Sequence, residues 1–544
     1  MSDGARNEPA AGTPIGSPVD APHATEQHES GDVPDGAETG STASADDADY
    51  LVDASDTDDA SGKAGAAGGA PQAARKAGSK AGIDSPADLT HGVDDATAER
   101  LAAALRCATV SHEDPADTDD AAFVLLAEHL ERSFPRVHAE LELEIFGHSR
   151  LYTWRGADPS RTAAILLAHQ DVVPADDQPH WTHPPFAGVV DAEFIWGRGA
   201  IDDKSRVMAI LEAVEAALGA GVRPAQTVYL AFGHDEEVFG DDGAVRMAQT
   251  LRERGVRADL LLDEGGVITE GVADGVDRPV ASIMLGEKGY ATVRLSVSDV
   301  GGHSSMPGRQ TAVGRIARAV GRIQDRPMPL RLTPVVVDML GRLRQAMPAA
   351  RRKLLGLTGV AGPVITRVLA ARPQTEAMVR TTTAPTVIRG GVKANVLPQH
   401  AEALVNFRIL PGDSVEVVLE HCRRVVRDDG VNIELVGMSS EPSQVAAPGP
   451  AFDRIAGLAT EVVPGIVVTT GIVPGATDSR HYDDLAGTRC NFAPVVFDQT
   501  DLERIHGTDE RISRVNYARL IEFNRRLIDQ LVHPEPSPTR GTAK

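Results

Sequence analysis

The chain has 544 residues, enough for more than one hydrophobic core, and a hydrophobic content of 42%, ordinary for a globular protein. Its net charge of −24 argues against nucleic acid as a partner, because phosphate contacts draw on Lys and Arg. Three widely separated cysteines, Cys107, Cys422 and Cys490, exclude a disulfide framework and a thiolate zinc site.

The charge is uneven. Residues 1–60 hold 15 Asp or Glu against a single Arg6 and almost no large apolar side chains. Such a stretch buries too little surface to offset its ordering entropy, so residues 1–85 are expected to form a disordered acidic tail, solubilising or available to a basic partner. No apolar stretch follows a basic start, and no run reaches the length of about 18 apolar residues that a membrane span needs. The expected location is the reducing cytoplasm, with no membrane partner.

From about Asp88 the chain reads as ordered. Residues 95–106 and 121–132 have helical spacing. AAILLA at 163–168 reads as a short buried strand and 204–218 as an amphipathic helix ended by Gly219 and Gly221. QTVYLAF at 226–232 and ADLLLD at 258–263 are further strands. Strands alternating with helices predict an α/β catalytic domain on a mostly parallel central sheet, with ligands at the carboxyl ends of its strands. The pattern changes at ATVRLSVS (291–298), which alternates as a half-exposed strand does. A helix over 311–324, a strand over 402–410, a helix from Ser414 to about Asp429 closed by Gly430, and a strand over 431–436 follow. The organisation expected is a catalytic domain in two parts, 86–287 and 438–533, interrupted by a smaller α+β lid or dimerisation domain over 288–437, with a C-terminal tail at 534–544. Residues 327–390 are Pro- and Arg-rich with short helical pieces, and a helix is expected over 509–532.

Five short acidic or histidine motifs carry the chemistry, four of them directly after apolar runs. In AAILLAHQD, His169 ends a strand and Asp171 follows two residues on; a zinc-ligating imidazole usually gives its second N–H to a carboxylate. A lone His after a strand is more often structural. In GRGAIDDK, Asp202 can bridge two cations with its two oxygens while Asp203 shapes the loop, although Asp before a helix is equally an N-cap. In HDEE, one of Glu236 and Glu237 can bind metal while the other takes a proton from an attacking water; paired surface charge is the alternative. In LLLDEGG, a buried Asp263 needs a partner, which a metal would provide. A last ligand has to come from His481 (GATDSRHY) or His506 (RIHGTDER), and spacing does not choose between them.

The strings LLAHQDVVP, WTHPPFAG, WGRGAIDDK, FGHDEE, LDEGG, GEKGY, GGHSSMP, GATDSRHY and RIHG, in this order across residues 90–533, resemble the aminoacylase/carboxypeptidase family of two-zinc metallopeptidases. The likeness is strongest to its carboxypeptidase S (Gly-Xaa carboxypeptidase) and N-fatty-acyl-amino-acid hydrolase branch. By position the resemblance implies one zinc on His169 and Asp263, a second on Glu237 and His506, and Asp202 bridging them, with Co2+ or Mn2+ as substitutes. It implies Glu236 as general base, Asp171 behind His169, and His303 of GGHSSMP as the group that offsets the oxyanion, often across a homodimer. Asn395 in KANVLP and Arg480 in TDSRH would hold the substrate and its free carboxylate. The expected activity is metal-dependent hydrolysis of an amide bond next to a free-carboxylate amino acid, on short peptides as a dipeptidase or carboxypeptidase. An aminoacylase acting on N-acyl amino acids is the alternative, and a catalytically silent binding protein on the same fold is a third reading.

Overall fold

The computed structural model describes residues 89–175, 180–272, 275–348, 352 and 358–532; the expected tails at 1–85 and 534–544 lie outside them. The strands Ala163–His169 and Val228–Gly233 are buried at every position, as continuous apolar runs are when both faces of a parallel sheet are covered. They lie side by side in a ten-stranded sheet. Ala163–His169 runs parallel to Val228–Gly233 on one side and to Ala258–Asp263 on the other, and Arg489–Asn491 continues the parallel run. The hairpin Glu142–Phe146/Ser149–Trp154 adds antiparallel strands at one end, and Val280–Glu287 pairs antiparallel with Arg489–Asn491 toward the other. His169 pairs with Gly233, and Asp263 with Asn491. The HQD, HDEE and LDEGG turns therefore leave the sheet along one edge.

The helix Lys204–Gly219 is less amphipathic than its sequence suggests. Residues on most of its faces are buried, because the sheet covers one side while Asp95–Leu105, Pro135–Glu140 and Arg514–Val532 pack on the others. The C-terminal helix begins at Arg514 rather than 509, since Arg511–Ser513 pairs as a short strand with Phe194–Trp196.

The chain leaves the core sheet at Glu287 and builds a smaller unit before returning through 441–449 to the helix Pro450–Val462. That unit is a four-stranded antiparallel sheet in the order Thr382–Gly390, His400–Ile409, Gly289–Ser298, Asn432–Ser440. Residues Ala291, Val293, Leu295 and Val297 alternate inward and meet Ile316 and Cys422 from the helices Ala312–Asp325 and Val415–Val426. These features give the α+β insertion into an α/β catalytic body that the sequence predicts. Two details differ. The helix capped by Ser414 ends at Val426, with Arg427 in the left-handed region (φ 48), rather than at Asp429 before Gly430. Within 327–390 the strand Thr382–Gly390 was not legible because it contains Pro385; it is an edge strand, where a missing N–H is tolerated, with a register shift between Pro385 and Val387. The helices Pro334–Ala346 and Thr358–Leu369 share a small apolar cluster built on Val335, Met339, Leu340, Ile365 and Val379.

Ser414 accepts the amide of Val417 at 3.3 Å. Replacing it with Ala is expected to cost about 1 kcal/mol in urea unfolding; an unchanged midpoint would remove it as a cap.

Candidate active site

Four of the five motifs spend a carboxylate on backbone amides, and among the described residues the Asp202–Asp203 pair does not. Asp171 is wholly buried and accepts Ser111 Oγ at 2.7 Å and the amides of Glu236 and Glu237 at 3.2 and 3.1 Å. It also lies 3.4 Å from His169 Nδ1. Burial alone would raise its pKa, but the His169 ring and these donors hold it below the usual carboxylate range. One ionised group thereby joins the HQD turn to the HDEE turn. Glu510, four residues after His506, does the same elsewhere. It accepts the amides of Ile201 and Asp202 at 2.7 and 3.1 Å and pairs with Arg198 at 2.7 Å. Arg198 in turn donates to the carbonyl of His506, a residue held at φ 59. The Asp202 loop and the His506 turn, some three hundred residues apart, are fastened by this pair.

Between these anchors the chemical groups meet. Asp202 Oδ1 lies 2.8 Å from His169 Nε2 and its Oδ2 3.1 Å from His506 Nε2. Glu237 Oε1 lies 3.3 Å from the same His506 nitrogen and, among the described residues, has no partner with hydrogen-bond geometry. Ligand atoms of His169, Asp202 and Glu237 all fall within 4.8 Å of one another. Asp202 and Glu237 hold the His506 imidazole up to about 10, a measure of the negative charge gathered there. Burial pushes the Glu236 carboxyl well above the usual carboxylate range; His169 works against that shift, while Asp478, Glu237 and Glu264 add to it. The buried oxygens Asp203 Oδ2 and Asp478 Oδ1 also lack donors. A nest of carboxylates and two imidazoles short of donors fits divalent cations, with the nitrogen and oxygen ligands that zinc accepts.

The remaining expected residues separate into two groups. Asp263 belongs to the backbone-holding set, with Oδ1 accepting the Glu264 amide and Oδ2 the Ser479 amide, both at 2.9 Å. Burial pushes the carboxyl of the next residue, Glu264, well above the usual carboxylate range; Asp202, Asp203 and Asp263 add to that shift and His169 works against it. Sequence reading passed over Glu264, although DEGG offered two acids and the strand ends at the first. His481 is turned away from the cluster, with Nε2 3.0 Å from the Phe239 carbonyl. Arg480 lies over the Phe239 ring and donates to the same carbonyl at 3.1 Å. Phe239 meets Tyr290 at 5.6 Å, and Arg408 of the inserted sheet covers Tyr290 at 4.8 Å. Neither Arg480 nor Arg408 has an ion-pair partner among the described residues, and Arg408 carried no local signal in the sequence. His303 and Asn395 sit together on the inserted unit. The strand Gly302–His303 pairs with Val396–Leu397, Ser304 N donates to the Asn395 carbonyl at 3.2 Å, and both side chains are exposed.

The profile of Peptidase family M20/M25/M40 matches residues 165–530, from the HQD strand to the last helix. The chain belongs to this family. It is 40% identical over 454 residues to the probable carboxypeptidase S-like 2 of Dictyostelium discoideum, covering 82% of this chain and 86% of that protein. It is 39% identical over 409 residues to the N-fatty-acyl-amino acid synthase/hydrolase PM20D1.1 of Danio rerio, covering 72% and 78%. Its fold matches an M20 family metallo-carboxypeptidase from Sulfolobus solfataricus with a TM-score of 0.60 at 18% identity, over 81% of this chain and all of that one. Membership in the M20 family makes this chain a hydrolase of the metallopeptidase class and sets aside the silent-scaffold reading.

If Asp171 orients the metal-facing His169 and the HDEE turn, Asp171→Asn should keep the fold but weaken divalent metal affinity about 10–100-fold, the usual cost of losing such a support. Competition against a chromogenic chelator reads this directly; wild-type affinity would break the link.

Proposed function

We propose that this chain is a two-zinc hydrolase of amide bonds adjacent to a free-carboxylate amino acid, acting on short peptides as a dipeptidase or carboxypeptidase. The observation that carries the reading is Asp202 set between His169 and His506, each at hydrogen-bond distance from one of its oxygens. Glu237 shares the His506 end. On the His169 side we assign the ligand role to Glu264 in place of Asp263, whose oxygens are already engaged by two amides. Two cations held by these residues would lower the pKa of a water at neutral pH and polarise the substrate carbonyl.

The protein's own groups do the rest. Glu236 takes the proton of the attacking water and delivers it to the departing amine. Asp171 keeps Glu236 and Glu237 in register through their amides. Arg480 and Arg408, without carboxylate partners of their own, are the groups we assign to the substrate's free carboxylate, one from each structural unit. His303 and Asn395 would serve the oxyanion and the substrate of a second copy, a homodimer formed through the inserted unit; their exposure supports this reading. Cleavage of N-acyl amino acids is the second reading, favoured by the fatty-acyl-amino acid relative, since it needs the same carboxylate contact. Among the described residues no helix is long and apolar enough to cross a membrane, and the three buried cysteines are unpaired, in keeping with the proposed cytoplasmic location.

A mass-spectrometric panel of dipeptides, N-acetyl and N-fatty-acyl amino acids and their carboxamides, with and without chelator, tests the assignment. Free acids should be cleaved, carboxamides and chelated samples should not, and equal cleavage of acids and amides would overturn the carboxylate requirement. Glu236→Ala is expected to retain its metal and lose at least about a hundredfold in kcat; near wild-type turnover would remove it as the base. Glu264→Gln should lower bound metal below that of Asp263→Asn, as read by elemental analysis after dialysis, and the reverse order would return the ligand role to Asp263.

A further inference from the structure

Glu287 is the last residue of a core strand, immediately before the chain departs into the inserted unit, and it is buried. Its Oε1 accepts the hydroxyls of Thr477 and Ser479 at 2.6 and 2.7 Å, and its Oε2 the Thr477 amide at 3.2 Å. Asn491 Nδ2 donates to those same two hydroxyl oxygens at 3.0 and 3.1 Å. The two hydroxyls also lie 2.8 Å from each other, so Glu287, Thr477, Ser479 and Asn491 form one hydrogen-bonded network that ties the 477–479 turn to the strand end. This turn delivers the Ser479 amide to Asp263, the neighbour of Glu264, and carries Arg480 onto Phe239.

The main chain of the same residue faces the other way. Ser443 Oγ accepts the Glu287 amide at 2.6 Å, and the Ser443 amide donates back to the Glu287 carbonyl at 3.3 Å. Ser443 lies on the crossing by which the chain returns from the inserted unit. Arg489 donates to Ser443 Oγ and lies 3.7 Å from Glu287 Oε1. Both crossings between core and insertion are thus tied to the residue that holds the Arg480 turn.

We infer that Glu287 is a positioning residue that sets Arg480 for the substrate carboxylate from the root of the inserted unit. The inference rests on the reading of Arg480 as a carboxylate-holding group. Glu287→Gln preserves shape but replaces one acceptor oxygen with a donor amide among groups that already donate. On full-length, metal-loaded protein it should raise KM for a free-acid dipeptide by about tenfold, the loss of one charged hydrogen bond. It should narrow the preference for the acid over its carboxamide, with kcat, metal content and Tm close to wild type. Ser443→Ala should shift the same ratio in the same direction, and it decides the matter if Glu287→Gln does not fold. An unchanged ratio in these variants while Arg480→Gln abolishes the preference would overturn the inference alone. An Arg480→Gln enzyme that keeps the preference would overturn both readings. A parallel loss on acid and carboxamide, with metal or Tm lost, would mark Glu287 as structural only.

Discussion

Everything at this site depends on carboxylates buried where backbone amides can reach them. A buried carboxylate is costly unless donors surround it, and turns at the ends of strands have amides to spare. The two needs meet at Asp171, Asp263 and Glu510, each of which accepts two amides; at Asp171 the donors outweigh burial, while at Asp263 and Glu510 burial still raises the carboxyl above its usual range. Asp235 follows the same rule within its own loop, taking the amides of Asp242 and Gly243. Once these groups are placed, the turns are fixed, and the remaining acids and imidazoles have little freedom except to face one another.

That division of labour explains what the sequence made legible. The α/β core was readable because AAILLA, VYLAF and ADLLLD are strands buried on both faces, and such strands announce themselves as apolar runs. The chemistry at their ends was readable because charge directly after such a run is costly without a reason. The choice between adjacent acids was not readable. Asp263 and Glu264 differ by one position; the apolar run placed the strand end at Asp263, but only the structure shows that Asp263 accepts amides there. Spacing did not separate His481 from His506; the family resemblance chose His506, and the Phe239 carbonyl and Asp202 show where each imidazole points.

The inserted unit was harder to read in detail. Its antiparallel strands alternate and so could be located, but the Pro-bearing edge strand and the surrounding helices have composition without period. Arg408 is the clearest loss. It sits inside the ordinary alternation of EALVNFRIL, and its significance comes from Tyr290 and Phe239, which are separated from it by more than a hundred residues and brought close only by the pairing of Tyr290 with Arg408. Aromatic rings here form a bridge between the two structural units, with an unpaired guanidinium at each end.

The fastening of Asp202 by Glu510 also has a consequence for synthesis. His169, Glu236 and Glu264 all leave the ribosome long before His506 and Glu510, which are followed by the helix that packs on Lys204–Gly219. Until that final stretch arrives, the loop bearing Asp202 lacks its anchor and the imidazole on its far side is missing. A nascent chain, in which domains fold as they emerge, can thus complete much of its sheet while still holding no finished metal site. The Asp202 loop is anchored only after every other residue of the proposed site before His506 has been synthesised.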